Sequence, residues 1–246
     1  MVRFALSFRF RAFNRAARAA EQPTDVRLKA DRVFKGLTRR GDIGVALLED
    51  LTLTLRAGDC VGLTGDSRLA KSVLLQILQG QSAIDAGAIW IVVDGEWVNL
   101  TRLSRSQLQT VCHRSIGYLG QVLPISPRST TFEMVMDPVL ERGISKRRAR
   151  ETASRLLTQL NVPQRLWRVS PTQLTQAEQQ RTNVARTFAV DYPVYLLNVP
   201  MTHLSAPDRQ TLLELIEQRK ANGSAFVGLF KDEELQLRAC TSTLSC

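Results

Sequence analysis

Lys71 and Ser72 close the octapeptide GDSRLAKS, Gly65 to Ser72, and a lysine followed by a hydroxyl a few residues after a glycine is a phosphate-binding arrangement. In the strict pattern G-x-x-x-x-G-K-[ST], backbone N–H groups cradle phosphates, the lysine reaches the outer ones and the hydroxyl holds Mg2+. The setting fits, because the apolar residues Cys60, Val61, Gly62 and Leu63 precede the loop as a strand would. Val73, Leu74, Leu75, Ile77 and Leu78 follow it as the buried face of a helix. The departure is Ala70, which stands where the second glycine belongs. Taken alone, the octapeptide also reads as an ordinary strand-turn-helix junction that contains Lys-Ser.

The elements that must hold such a loop are visible around it. Leu51, Leu53 and Leu55 alternate at period two, the mark of a half-buried strand. The β-branched run AIWIVVDGEWV, Ala88 to Val98, is broken by Asp94-Gly95 and predicts a hairpin. Beyond Gln121 the segment is punctuated by Pro124, Pro127 and Pro138, then enters a helix whose buried stripe is Ala149, Ala153, Leu156, Leu157 and Leu160. Lys146, Arg147, Arg148, Arg150 and Arg155 lie mostly off that stripe and read as a solvated face. Strand-like Val194–Asn198, a helix through Leu212, Leu213 and Ile216 closed by Asn222-Gly223, and strand-like Ala225–Phe230 follow. Alternating strands and helices imply a parallel sheet covered by helices, with ligands at the carboxyl ends of its strands. Gly65, Gln121, Asn198 and Lys231 all fall at such ends.

The segment PTQLTQAEQQRTNVARTFAVDYPVYLLN, Pro171 to Asn198, resembles the signature-to-Walker-B region of ABC-type ATPases. The phrases RLLTQLNVPQRLW, EQQR-x-N-x-AR-x-F-x-x-DYP and VGLFKDE most resemble the ABC subunit of the bacterial carbon–phosphorus lyase system, the PhnL type, used on phosphonates. The likeness runs from about Asp25 to about Arg238. It implies an α/β P-loop NTPase core with a parallel sheet, an antiparallel β subdomain and a helical subdomain at about residues 123–175. The cassette is expected over residues 25–240, with a basic extension at 1–24 and a short tail at 241–246.

The resemblance also assigns roles. Phe34 would stack on adenine. Gly65, Ser67, Arg68, Lys71 and Ser72 would form the phosphate loop, Ser72 and Gln121 would attend Mg2+, and Thr175 would stand in the signature. Read without the resemblance, Phe34 is a core or edge-strand aromatic, Gln121 a solvated strand end and Lys71 a surface lysine at a helix start. The departures fall on the chemistry. Arg68, Leu69 and Ala70 replace loop residues that include two glycines, and Gln176 and Ala177 replace the signature glycines. Asn198 and Val199 stand for the metal-orienting aspartate and the water-polarising glutamate, and His203-Leu204-Ser205 for the following Ala-Leu-Asp. Lys231 stands for the histidine that senses the γ-phosphate. Losing general-base assistance alone costs about 10²–10⁴-fold in rate. The expectation is therefore weak ATP binding, uncertain use of Mg2+ and no efficient hydrolysis.

With 246 residues, 44% of them hydrophobic, the chain can bury a sizeable core. No apolar run approaches the roughly 18 residues that cross a bilayer. The cysteines Cys60, Cys112, Cys240 and Cys246 show neither C-x-x-C spacing nor a disulfide framework, and no secretory signal is visible, so a reducing cytoplasm is expected. The two histidines, His113 and His203, make a histidine metal site unattractive. Half of the net charge of +10 sits in the first twenty residues, which hold Arg3, Arg9, Arg11, Arg15 and Arg18 among Phe4, Phe8, Phe10 and Phe13. That composition suits an interfacial amphipathic helix, an organelle-targeting segment or a solvated tail, with weak contact to an anionic membrane as the testable form. No specific nucleic-acid partner is expected. The resemblance implies a homo- or heterodimer of cassettes engaging the carbon–phosphorus lyase core complex. Two alternatives stand beside it: the degenerate half of a heterodimeric membrane transporter, and a scaffold that binds no nucleotide.

Overall fold

The computed structural model describes residues 25–39, 42–125, 128–199 and 203–246. The basic extension at 1–24 lies outside the described residues. Strands β1 (Val26–Arg39) and β2 (Asp42–Arg56) pair antiparallel. Leu51, Leu53 and Leu55 of β2 are buried, as their alternation requires. Strand β3 (Cys60–Thr64) runs into helix α1 (Arg68–Leu78), which carries the chain to the hairpin of β4 (Ala86–Val93) and β5 (Glu96–Asn99). Asp94 and Gly95 at its tip both have positive φ, 51° and 82°, the turn that matches the twist of the paired strands. The four-stranded antiparallel sheet is ordered β2-β1-β4-β5.

The second half supplies helices α2 (Arg105–Ser115), α3 (Thr131–Glu141), α4 (Lys146–Gln159), α5 (Gln176–Phe188), α6 (Ala206–Ala221) and α7 (Glu233–Ala239). Between them run strands β6 (Ile116–Leu119), β7 (Val194–Val199), β8 (Ala225–Phe230) and β9 (Ser242–Ser245). The five-stranded sheet is ordered β6-β7-β8-β3-β9 and its pairs are parallel. All six residues of β8 are buried, because a parallel strand in mid-sheet is covered on both faces. Residues 241–246 differ from the expected tail: Ser242–Ser245 pair with Val61–Thr64 and extend the sheet by one edge strand. The pairing succeeds because β3 would otherwise present an open edge of unsatisfied backbone groups.

Alternation along β7 divides the core. Val194 and Leu196 face the cluster between the two sheets, with α1 residues Leu74, Leu75 and Leu78; Tyr195 and Leu197 face the cluster under α4, α5 and α6. Tyr195 stacks between Phe188 and Phe226, with ring centroids 5.2 and 4.8 Å away, and its hydroxyl donates to the Val190 carbonyl at 2.7 Å. The predicted stripe of α4 is fully buried. Helices α3, α4 and α5 pack on one another as a helical group, α3 beginning where Phe132 stacks on Trp167 at 5.3 Å. Ser67, Ser104, Thr130, Ser145, Thr175, Ser205 and Asp232 each cap a helix with a side-chain oxygen, typically worth about 1 kcal/mol.

Candidate nucleotide site at the ends of the parallel strands

The loop after β3 is short. Gly65 has φ +100°, and a Cβ there would collide with the main-chain carbonyl of Cys246, so glycine is required. The helix then starts at Arg68, three residues ahead of Lys71. Ser67 Oγ accepts the Ala70 N–H at 3.1 Å and the Ser67 carbonyl accepts the Lys71 N–H at 3.2 Å, so both donors are used inside the chain. The Ala70 methyl is 1% exposed and belongs to the core. The missing glycine thus acts through the backbone: residues with good helix propensity wind where a glycine loop would stay open. Arg68 and Leu69 face solvent, Leu69 at 49% exposure. Lys71 Nζ folds back on the Gly65 carbonyl at 2.6 Å, which holds the ammonium over the loop, and Ser72 is half-buried in the same turn. Asp66 is exposed in mid-loop and was not singled out by the sequence pattern, although its carboxylate repels the anion that Lys71 attracts.

At the far side of the sheet Gln121, two residues past β6, meets Asn198 of β7: Gln121 Nε2 donates to Asn198 Oδ1 at 3.1 Å. That single hydrogen bond links the two neutral amides. Helix α5 steadies this end, since Asn183 Nδ2 donates to the Gly120 carbonyl at 2.9 Å and Thr187 Oγ1 to that of Tyr118 at 3.3 Å. The backbone of Val199 pairs with Phe230, and its side chain lies outside the described residues. Lys231 is exposed one residue past β8, the strand between β7 and β3. Two strand spacings put β7 about 10 Å from β3, a span that a nucleotide's phosphates and their cation can bridge. Lys71 and the Gly65 turn fit a phosphate. The cation fares worse, because Ser72, Gln121 and Asn198 offer only neutral oxygens where Mg2+ is ordinarily held with carboxylates. Among the described residues no group of three His, Cys, Asp or Glu could hold a metal.

Thr175 caps α5, its hydroxyl donating to Glu178 Oε2 at 2.8 Å and accepting the Glu178 N–H at 3.3 Å. The Thr175 backbone N–H holds the Glu178 carboxyl below its ordinary range. That carboxylate occupies the helix end that a phosphate would seek and competes with it for the same N–H groups. Ser205 takes over the capping of α6 through Asp208, whose Oδ2 lies 3.8 Å from Arg181 of α5. Phe34 is half-buried on β1 opposite Ala86, in the antiparallel sheet. His113 is exposed beside Glu141 at 3.2 Å.

A phosphate loop at the end of a parallel strand, with a signature-like helix start and an added antiparallel sheet, is the plan of an ATP-binding cassette, and the sequence profile of the ABC transporter family matches residues 48–202. The chain belongs to this family. An uncharacterized ABC transporter ATP-binding protein of Mycobacterium tuberculosis is 32% identical over 178 residues, 72% of this chain. The chain spans about half the length of that relative, 52%. The lipoprotein-releasing system ATP-binding protein LolD of Bacteroides thetaiotaomicron is 30% identical over 204 residues, covering 82% of this chain and 90% of its own length. The macrolide export ATP-binding/permease protein MacB of Brucella melitensis is 29% identical over 81% of this cassette and 30% of its own length. In fold, the cassette matches the dimeric ATP-binding cassette MJ0796 bound to ADP and Pi, with a TM-score of 0.75 over 86% of this chain and 91% of that one, at 22% identity. Among the described residues no helix of this cassette is long and apolar enough to cross a membrane.

Proposed function

We propose that this cassette is the degenerate half of a two-cassette ABC transporter assembly, holding adenine nucleotide weakly and hydrolysing ATP poorly or not at all. The observation that carries the reading is the Gln121–Asn198 amide pair, which closes on itself where a carboxylate and a cation would otherwise meet. The early start of α1 supports it, because the helix has consumed N–H groups that a glycine loop offers to phosphate. Nucleotide would rest on Lys71, Ser67, Ser72 and the Gly65 turn, with Phe34 at the base, and ATP would act as a structural link between the halves. The names of the relatives, which concern lipoprotein release and macrolide export, support a cytoplasmic place beside a membrane permease. The carbon–phosphorus lyase reading rests on the phrases at Arg155–Trp167, Glu178–Pro193 and Val227–Glu233, and none of the relatives described above is named for that chemistry. Steady-state ATP turnover by the full chain is the test. Turnover at background is expected; turnover that persists in this chain and vanishes in Lys71→Ala overturns the loss of hydrolysis. Absence of any ADP or ATP binding would leave the scaffold reading in its place.

A further inference from the structure

Cys60 and Cys240 are 180 residues apart in sequence, yet their sulfurs lie 3.5 Å apart. Cys60 opens β3, the strand that delivers the phosphate loop, and Cys240 caps the C-terminus of α7, two residues before β9. The backbone around the pair is fixed: the Thr241 N–H donates to the Cys60 carbonyl at 2.7 Å and the Cys60 N–H to Thr241 Oγ1 at 3.1 Å. Both thiols are free. They are unequal in access, since Cys60 is 0% exposed and Cys240 is partly open to solvent. The Cys60 S–H donates to Cys240 Sγ, which favours the thiolate at Cys240 and holds Cys60 in its thiol form. Lys220 adds positive charge nearby, its Nζ reaching the Ala239 carbonyl at 3.1 Å. A disulfide at roughly 2.05 Å needs the two sulfurs to come about 1.5 Å closer, and the Cys60–Thr241 hydrogen bonds already hold the two backbones side by side.

We propose that Cys60 and Cys240 form a redox-responsive dithiol that a peroxide converts to an intramolecular disulfide. The accessible Cys240 thiolate attacks one peroxide oxygen, so that an S–O bond forms, the O–O bond breaks and the departing oxygen leaves as water after protonation. The Cys60 sulfur then attacks the Cys240 sulfenic acid; the S–S bond forms, the S–O bond breaks, and the Cys60 proton leaves with the hydroxyl as a second water. Two thiols are oxidised by two electrons and one hydrogen peroxide is reduced to two waters. The bond would fasten α7 and β9 to the strand that carries Gly65, whose turn already lies against Cys246. Such a transient disulfide suits a reducing compartment as a sensor rather than a structural staple.

The test uses the full chain treated with hydrogen peroxide, followed by thiol counting and peptide mass mapping. Loss of two of the four thiols and a Cys60–Cys240 cross-linked peptide, both reversed by dithiothreitol, is the expected result. The Cys112→Ser/Cys246→Ser double variant should keep the reversible cross-link, and Cys240→Ser should lose it. Because Cys60→Ser alters a fully buried site, Cys240→Ser and the double variant decide the question. A melting temperature that rises on oxidation in the double variant and stays fixed in Cys240→Ser is the second expected readout. Oxidation that stops at sulfinic acid on Cys240, joins two chains, or links Cys246 instead overturns the proposal.

Discussion

Replacing Lys71 by alanine separates phosphate recognition from folding at this site. Lys71 Nζ contacts only the Gly65 carbonyl, at 2.6 Å on the surface, among the hydrogen bonds of the described residues. Losing a solvent-facing contact of this kind costs about 1 kcal/mol or less. For a chain of this size about 1 kcal/mol moves the melting temperature by roughly 2–4 °C, so Lys71→Ala should melt within that interval of the unaltered protein. Nucleotide is affected differently. A charge-assisted hydrogen bond to phosphate contributes about 1.5–3 kcal/mol, and about 1.4 kcal/mol is tenfold in affinity. Because the ammonium must first release Gly65, the lower part of that range applies and the loss of ADP affinity should be about tenfold. Calorimetric titration with ADP, paired with thermal melts of both proteins, measures the two quantities independently. Equal ADP affinity in both proteins would refute the placement of phosphate over Gly65, and a much larger fall in melting temperature would make Lys71 a structural residue.

The double substitution Asn198→Asp with Val199→Glu should not restore turnover, because α1 still begins at Arg68 and Gln176, Ala177 and Glu178 still crowd the start of α5; rapid ATP hydrolysis by a homodimer of that variant would show that the loops are competent. Removing residues 1–20 should leave the melting temperature nearly unchanged and reduce salt-sensitive binding to anionic vesicles, since each basic residue near such a surface contributes about 1 kcal/mol; equal vesicle binding would make the segment a solvated tail. Asp85 accepts Lys35 Nζ at 2.8 Å and the Gly36 N–H at 2.9 Å, and the lysine chiefly, with the backbone N–H, holds its carboxyl below the ordinary 3.8. Its contribution to stability is therefore present above the unfolded-state value and lost as pH falls through the lower, folded one. Asp85→Asn should flatten the acid limb of a denaturant-midpoint profile below about pH 4, and an unchanged slope would refute the pairing.

What the sequence by itself determined is what local periodicity and short motifs encode. Leucines at 51, 53 and 55 announce β2, the stripe from Ala149 to Leu160 announces the buried face of α4, and Asp94-Gly95 announces the hairpin, because side-chain spacing and turn chemistry act within a few residues. The alternation of such elements was enough to forecast a parallel sheet with its loops at the carboxyl ends, and Gly65, Gln121, Asn198 and Lys231 stand at or just beyond those ends. Only the tertiary structure decided how those ends interact. Gln121 meets Asn198 across 77 residues, Cys60 meets Cys240 across 180, and Ser242–Ser245 join the sheet beside β3, all because the strand order seats distant segments side by side. The backbone of the phosphate loop belongs to the same class. Ala70 reads as one lost glycine in sequence; in the fold its methyl is drawn into the core and its N–H is taken by Ser67, so burial and capping together wind the helix early. Burial and strand neighbourhood arise from packing across the whole chain, which no local pattern of residue types records.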